Sequence, residues 1–275
     1  MLKSILILLF AMASIQFGAS QAKILFPVLG AAGTTLMRLV FASLIMAIVF
    51  RPWKIKFSKN LIFYGLSLGL MNLSFYYALE RIPLGIAVAL EFTGPLAVAI
   101  FSSRKTVDYL WAILAGIGIV LLLPFEATEK SLDLLGIFFA LFAGLCWALY
   151  IVFGKRAGND LKGGEASTMG MLVAAAVVIP FGLVIDGPKL FNPSVLPLIL
   201  VVAFFGSALP YTLEMFALKK MPQRTFGVLM SLEPAMASLM GFIFLTEALT
   251  MTQWSAILCV IISSLGSTLS QGKSV

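Results

Sequence analysis

Apolar runs of about 20 residues recur from one end of the chain to the other, with short clusters of charge between them. A helix needs about that length to cross the hydrocarbon core of a bilayer, so the pattern restricts the chain to a multi-span membrane protein. The runs fall near 2–22, 33–50, 60–79, 83–102, 108–124, 134–154, 166–185, 195–218, 225–245 and 252–270, ten in all. With 61% hydrophobic and 11% charged residues there is no polar shell for a water-soluble domain, which carries about 25% charge. The expected fold class is all-α and integral to the membrane, with ten transmembrane helices and lipid as its surroundings.

Composition also removes whole classes of chemistry. The chain has no histidine, which excludes His-based metal sites and Ser-His or Cys-His nucleophile pairs. Cys146 and Cys259 both lie inside apolar runs and read as packing residues rather than a disulfide or metal pair. The net charge of +7 is scattered in juxtamembrane clusters, so no nucleic-acid partner is expected. Proton chemistry, where needed, falls to carboxylates.

The two halves of the chain resemble each other. The stretch 78–100, ALERIPLGIAVALEFTGPLAVAI, lies without a gap over 217–239, ALKKMPQRTFGVLMSLEPAMASL. Ala78, Leu79, Pro83, Leu90 and Pro95 fall on Ala217, Leu218, Pro222, Leu229 and Pro234. The first run, which has features of a signal peptide, has its own counterpart in 140–156 and is therefore expected to remain. Residues 1–127 and 128–275 are accordingly two repeats of five spans. Five is odd, so the second repeat enters from the opposite side. The loop charges agree: fourteen Lys and Arg fall on the side that holds both termini, against Lys23, Arg81, Lys130 and Lys189 on the other. The positive-inside rule places the termini in the cytoplasm. Inverted repeats of this kind put their binding site at the midplane between the halves.

Apart from Lys3 and Asp108 at the ends of their runs, four charged residues lie within the spans: Arg38, Glu91, Glu214 and Glu233. Each costs about 2.5–3.5 kcal/mol on insertion scales, and is kept where it meets a cavity, a partner or a substrate. Arg38 is close enough to its span's outer end to snorkel, and Glu214 close enough to the inner end to pair with Lys219 or Lys220. Glu91 and Glu233 have no such escape. Pro95 leaves the Glu91 carbonyl without its i+4 donor, and Pro234 does the same to Met230, the equivalent position in the repeat. Each half thus breaks a helix at one depth, with a freed carbonyl next to or near a carboxylate, which is tolerated only beside protein or a water-filled cavity. Asn72 and Tyr76 share a helical face with Gly65 and Gly69; Tyr211 and Glu214 share one with Ser207. Gln16 and Trp147 also carry a weak signal for lining a cavity. The expected site is Glu91, Glu233, Arg38, Glu214, Asn72, Tyr76 and Tyr211, with helix breaks at Pro95 and Pro234 and no metal.

Ten spans in two inverted repeats resemble the drug/metabolite transporter superfamily of EamA type. The segments AMASIQFGAS, PLGIAVALEFTGPLAVAIFSSRK, AGLCWALYI and RTFGVLMSLEPAMASLMGFIFLTEALT carry the likeness, which covers nearly the whole chain. The resemblance implies export of small amino acids of the threonine and homoserine kind across a bacterial inner membrane. It implies the proton gradient as driving force, with no cofactor. A zwitterion needs an anion for its ammonium and a cation for its carboxylate, which these residues provide. Export of another metabolite or a cationic drug is compatible with the same architecture. A membrane-embedded enzyme is disfavoured by the missing histidines and acid clusters, and a channel or scaffold by the intramembrane acids.

Overall fold

The computed structural model describes residues 2–52, 58–102, 107–121, 132–158, 163–218 and 229–271. Most of the cytoplasmic-side charges expected from sequence, among them Lys54, Lys105, Lys219, Lys220 and Arg224, lie outside these residues, as does Pro222. Among the described residues every regular element is helical.

Helix α1 runs from Leu2 to Phe50, and its 49 residues are broken at Gly30, where φ is 72° and ψ 165°. Unbroken it would be about 74 Å long, more than twice the hydrocarbon thickness. The break therefore makes two legs of it, and the cause is local. Pro27 cannot donate to the preceding turn, and Gly30 takes a left-handed φ at no steric cost. The second leg restarts under Asp186, whose Oδ2 accepts the Gly33 N–H at 3.0 Å. Two of the expected spans are thus one bent element, and the first extends seven residues beyond the expected end.

Helix α2 covers Lys59–Leu79 and is capped by Ser58, whose hydroxyl accepts the Leu61 N–H at 3.2 Å. The next expected span is two short helices, α3 (Leu84–Glu91) and α4 (Thr93–Ser102), separated by a turn at Phe92. There follow α5 (Val107–Leu121), α6 (Leu134–Gly158) and α7 (Gly163–Asp186). Helix α8 (Leu196–Ala203) widens into a π turn over Phe204–Ala208 before α9 (Leu209–Leu218). A turn at Ser231–Leu232 precedes α10 (Glu233–Leu245), and α11 is Met251–Gln271. Five helices among the described residues are long and apolar enough to cross a membrane, including the doubled α1; four shorter apolar ones accompany them.

Helix α2 packs on α6 and α7, α1 on α7 through α10, α3 on α10, and α5 on α11. Small residues allow the closest approaches, as lipid gives no hydrophobic drive for helix association. A Cβ on Gly18 would collide with the Gly206 backbone, and one on Gly94 with the Gly144 carbonyl. Gly94→Ala is accordingly expected to destabilise the protein by about 1–3 kcal/mol, the usual range for overpacking. Gly116→Ala, with no atom within 4 Å of the new methyl, should leave the melting temperature unchanged or slightly raised. Thermal unfolding of the two purified variants checks the contrast.

One end of the bundle is tied by ion pairs. Lys23 meets Glu247 at 2.7 Å and donates to the Ile82 carbonyl at 2.9 Å, while the other Glu247 oxygen accepts the Leu84 N–H at 2.7 Å. Arg81 reaches Asp133 at 3.0 Å. The Leu135 N–H and the Arg81 guanidinium together hold the Asp133 carboxyl below its usual range.

Candidate functional site

Where the two broken elements meet α1, α2, α6 and α9, the bundle encloses a cavity of about 90 Å³, room for several waters or a small solute. α1 supplies Ile15, Gln16 and Ala19 from its first leg and Arg38 from its second. α2 supplies Met71, Asn72 and Phe75; α6 supplies Trp147 and Tyr150; α9 supplies Tyr211 and Glu214. Glu91 enters at the end of α3, and Met230 and Glu233 flank the second break. Six of the seven residues expected from sequence therefore share one cavity. They come from segments up to about 200 residues apart in the chain.

Arg38 is the only cation on this wall among the described residues, and it is 4% exposed. It does not snorkel. Nη2 donates to Asn72 Oδ1, and Nη1 donates to the Gly206 carbonyl at 3.3 Å. The Asn72 amide is itself oriented, because Nδ2 donates to the Leu68 carbonyl at 2.8 Å. The guanidinium lies over the Tyr76 ring, 4.6 Å from its centroid, a favourable cation–π placement. Tyr76 is thus the seventh expected residue placed differently: it is fully buried beneath Arg38 rather than on the cavity wall.

On the first leg of α1, Gln16 Nε2 donates to Glu233 Oε1 at 3.1 Å. That leaves Gln16 Oε1 and Glu233 Oε2 buried with no protein partner among the described residues, and Arg38 Nε is in the same position. Buried polar atoms left unpaired are costly, so these three ask for a ligand or water. Gln16 and Glu233 thus each keep an unpaired acceptor, and Arg38 an unpaired donor on a cation, among the residues that line the cavity. Three carboxylates line the same cavity as that one cation, and no ion pair joins Arg38 to any of them among the described residues.

The helix breaks sit where the prolines require, but the backbone is used otherwise than the sequence suggests. A Cβ on Gly144 would lie 2.7 Å from the Glu91 carbonyl oxygen, so this freed carbonyl faces the seam with α6 while the side chain takes the cavity. Phe92, the residue in the turn, packs edge-on against Trp147 with centroids 5.5 Å apart. Pro234 is buried behind Glu233. The glycines expected to extend the Asn72 stripe pack instead: a Cβ on Gly69 would lie 3.0 Å from the Ala174 carbonyl, which lets α7 approach. Ser207 lies within the π turn and off the wall.

Tyr150 was not foreseen. It stacks on Tyr64 at 4.8 Å, with the hydroxyls 3.3 Å apart, beside Tyr211 and Glu214. An aromatic in an apolar run gives no signal of its own, since it reads as packing. The other miss is a proline, Pro210, whose position four residues after Gly206 frees the carbonyl that Arg38 uses.

Residues 134–269 match the EamA-like transporter family. The threonine/homoserine exporter RhtA of Salmonella typhimurium strain LT2 is 52% identical over 269 residues, covering 96% of this chain and 91% of that protein. The exporter of the same name from Escherichia coli K12 is 52% identical over 273 residues, 98% of this chain and 92% of its own. An uncharacterized transporter of Clostridium kluyveri is 28% identical over 182 residues, 63% of this chain and 58% of its own. A crystal structure superposes with a TM-score of 0.64 over 98% of this chain and 99% of that one, at 16% identity, a likeness of fold alone.

Proposed function

Because the chain belongs to the EamA-like transporter family, we propose that it exports small amino acids of the threonine and homoserine type from the cytoplasm. It is a transporter and not an enzyme. The observation that carries the substrate class is the pairing of open groups in the cavity. Arg38 keeps an unpaired N–H on a cation, and Gln16 and Glu233 keep unpaired acceptors in the same cavity. An α-amino acid carries the complement of both, a carboxylate and an ammonium.

Transport is by alternating access, driven by proton antiport. The chain crosses a bacterial inner membrane ten times as two inverted five-helix repeats, 1–127 and 128–275, with both termini in the cytoplasm. Several packings support that symmetry. α5 with α11, and the second leg of α1 with α7, join equivalent elements of the two halves, and α3 with α10 joins parts of two equivalent spans. The Lys23–Glu247 pair and its bonds at Ile82 and Leu84 tie the first half to the second at the end away from Tyr150 and Glu214. Ile82 and Leu84 belong to a cluster of buried apolar side chains that includes Ala22 and Leu79 and extends to Ala19 and Phe75 on the cavity wall. These contacts support a site closed on its outer side.

The test is counterflow of labelled threonine in liposomes, with and without a pH gradient. Accumulation driven by unlabelled threonine, and its enhancement when the trans side is acidic, is the expected result. No counterflow of threonine or homoserine would overturn the reading.

A further inference from the structure

Pro210 has no N–H, so the Gly206 carbonyl, four residues earlier, lacks its ordinary helical donor. Ahead of it the backbone widens into the π turn Phe204–Ala208, and the Leu209 N–H reaches the Phe204 carbonyl instead of that of Phe205. Two successive carbonyls, at Phe205 and Gly206, have thus lost their i+4 partners. Both are taken up by side chains of α1. Ser14 on the first leg donates to the Phe205 carbonyl at 2.7 Å, and Arg38 on the second leg donates to the Gly206 carbonyl at 3.3 Å. The backbones come close enough for this because Gly18 faces Gly206 with no side chain between them.

We propose that Pro210 is a positioning residue for substrate binding. By keeping the turn open it presents the Gly206 carbonyl that, together with Asn72, aims the Arg38 guanidinium at the substrate carboxylate. Arg38 needs such a fixture. A guanidinium on a long flexible side chain binds a carboxylate well only when its fork is oriented beforehand. Asn72 holds Nη2 and Gly206 holds Nη1, which leaves Nε without a protein partner among the described residues. The inference rests on the transport reading above and adds a residue that does not line the cavity.

Pro210→Ala restores a donor at position 210 and lets the turn relax toward an ordinary helix. A residue with a merely structural role would lose stability and binding of all ligands together. The expected result is different in kind. The variant should be at least as heat-stable as the parent, since a helix interior gains on losing proline. Its dissociation constant for threonine should rise about tenfold, the scale of one lost hydrogen bond to a charged group. That for threoninol, which keeps the ammonium and hydroxyl but has no carboxylate, should stay within about twofold. Equal weakening of both ligands, or of neither, would overturn the proposal.

A second arm needs no ligand. Arg38→Met should lower the melting temperature less in the Pro210→Ala background than in the parent, because the bond to Gly206 is already gone. Equal losses would also overturn it. A parent protein that binds no threonine would count against the transport reading, and the ligand-free cycle would still decide the role of Pro210.

Discussion

Arg38→Met is expected to bind threonine at least about 30-fold more weakly than the parent protein and to show no measurable counterflow. Truncating one partner of a buried, hydrogen-bonded charge pair costs about 2–5 kcal/mol, and each 1.4 kcal/mol is a factor of ten. Among the described residues no other cation lines the cavity, so no other side chain there can offer a substrate carboxylate an opposite charge. The loss extends beyond the ligand, because Asn72 Oδ1 and the Gly206 carbonyl lose their donor at the same time. Some destabilisation without ligand is therefore expected. Arg38→Lys separates the two effects: it keeps the charge, but a single ammonium cannot present the planar fork that spans both acceptors and a ligand. Its binding should fall between those of the parent and Arg38→Met. Isothermal titration with threonine reads both variants. Binding by Arg38→Met within threefold of the parent would remove Arg38 from the site.

The sequence disclosed what costs energy in a membrane and hid what depends on which helices meet. Glu91 and Glu233 were legible because a carboxylate in an apolar run has no cheap location. Arg38 could be located but not interpreted: its span position allowed snorkelling, and only the meeting of α1 with α2 and the π turn places Asn72 and Gly206 on it. The bend of α1 had its cause in plain view at Pro27 and Gly30, yet spacing alone does not tell a loop between two spans from a kink within one helix. The glycines of α2 share a face with Asn72, and periodicity cannot say where packing ends and a cavity begins. Here the boundary falls between Gly69, against α7, and Asn72, beside Arg38. Pro210 was the recoverable miss. The reasoning applied to Pro95 and Pro234 holds equally four residues after Gly206, where the freed carbonyl is the one with a polar partner.

Glu91→Gln and Glu233→Gln are expected to fail in opposite ways, which assigns the two acids different tasks in the cycle. Glu233 is held as an acceptor: Gln16 donates to Oε1, and Oε2 is left buried with no protein partner among the described residues. In the proposed cycle this suits Glu233 to receive the substrate ammonium. Glu91 is as deep, at 7% exposure, but no side chain donates to its carboxylate among the described residues. It can gain and lose a proton without breaking a protein hydrogen bond, which suits the coupling step. Glutamine preserves size and polarity at either position and removes ionisation. In Glu233→Gln, threonine affinity should fall about 10–100-fold, the range of a lost hydrogen bond to a charged group, and gradient-driven export and equal-pH exchange should fall together. In Glu91→Gln, exchange at equal pH should persist, because substrate still binds and the halves still rock. Export against a threonine gradient should drop to the rate seen with no pH difference, since the variant returns across the membrane without a proton to release. Liposomes loaded with threonine and measured with and without an imposed pH gradient separate these outcomes. Loss of both activities in Glu91→Gln would move it to the ammonium site beside Glu233, and wild-type rates in both assays would deny it any part in transport.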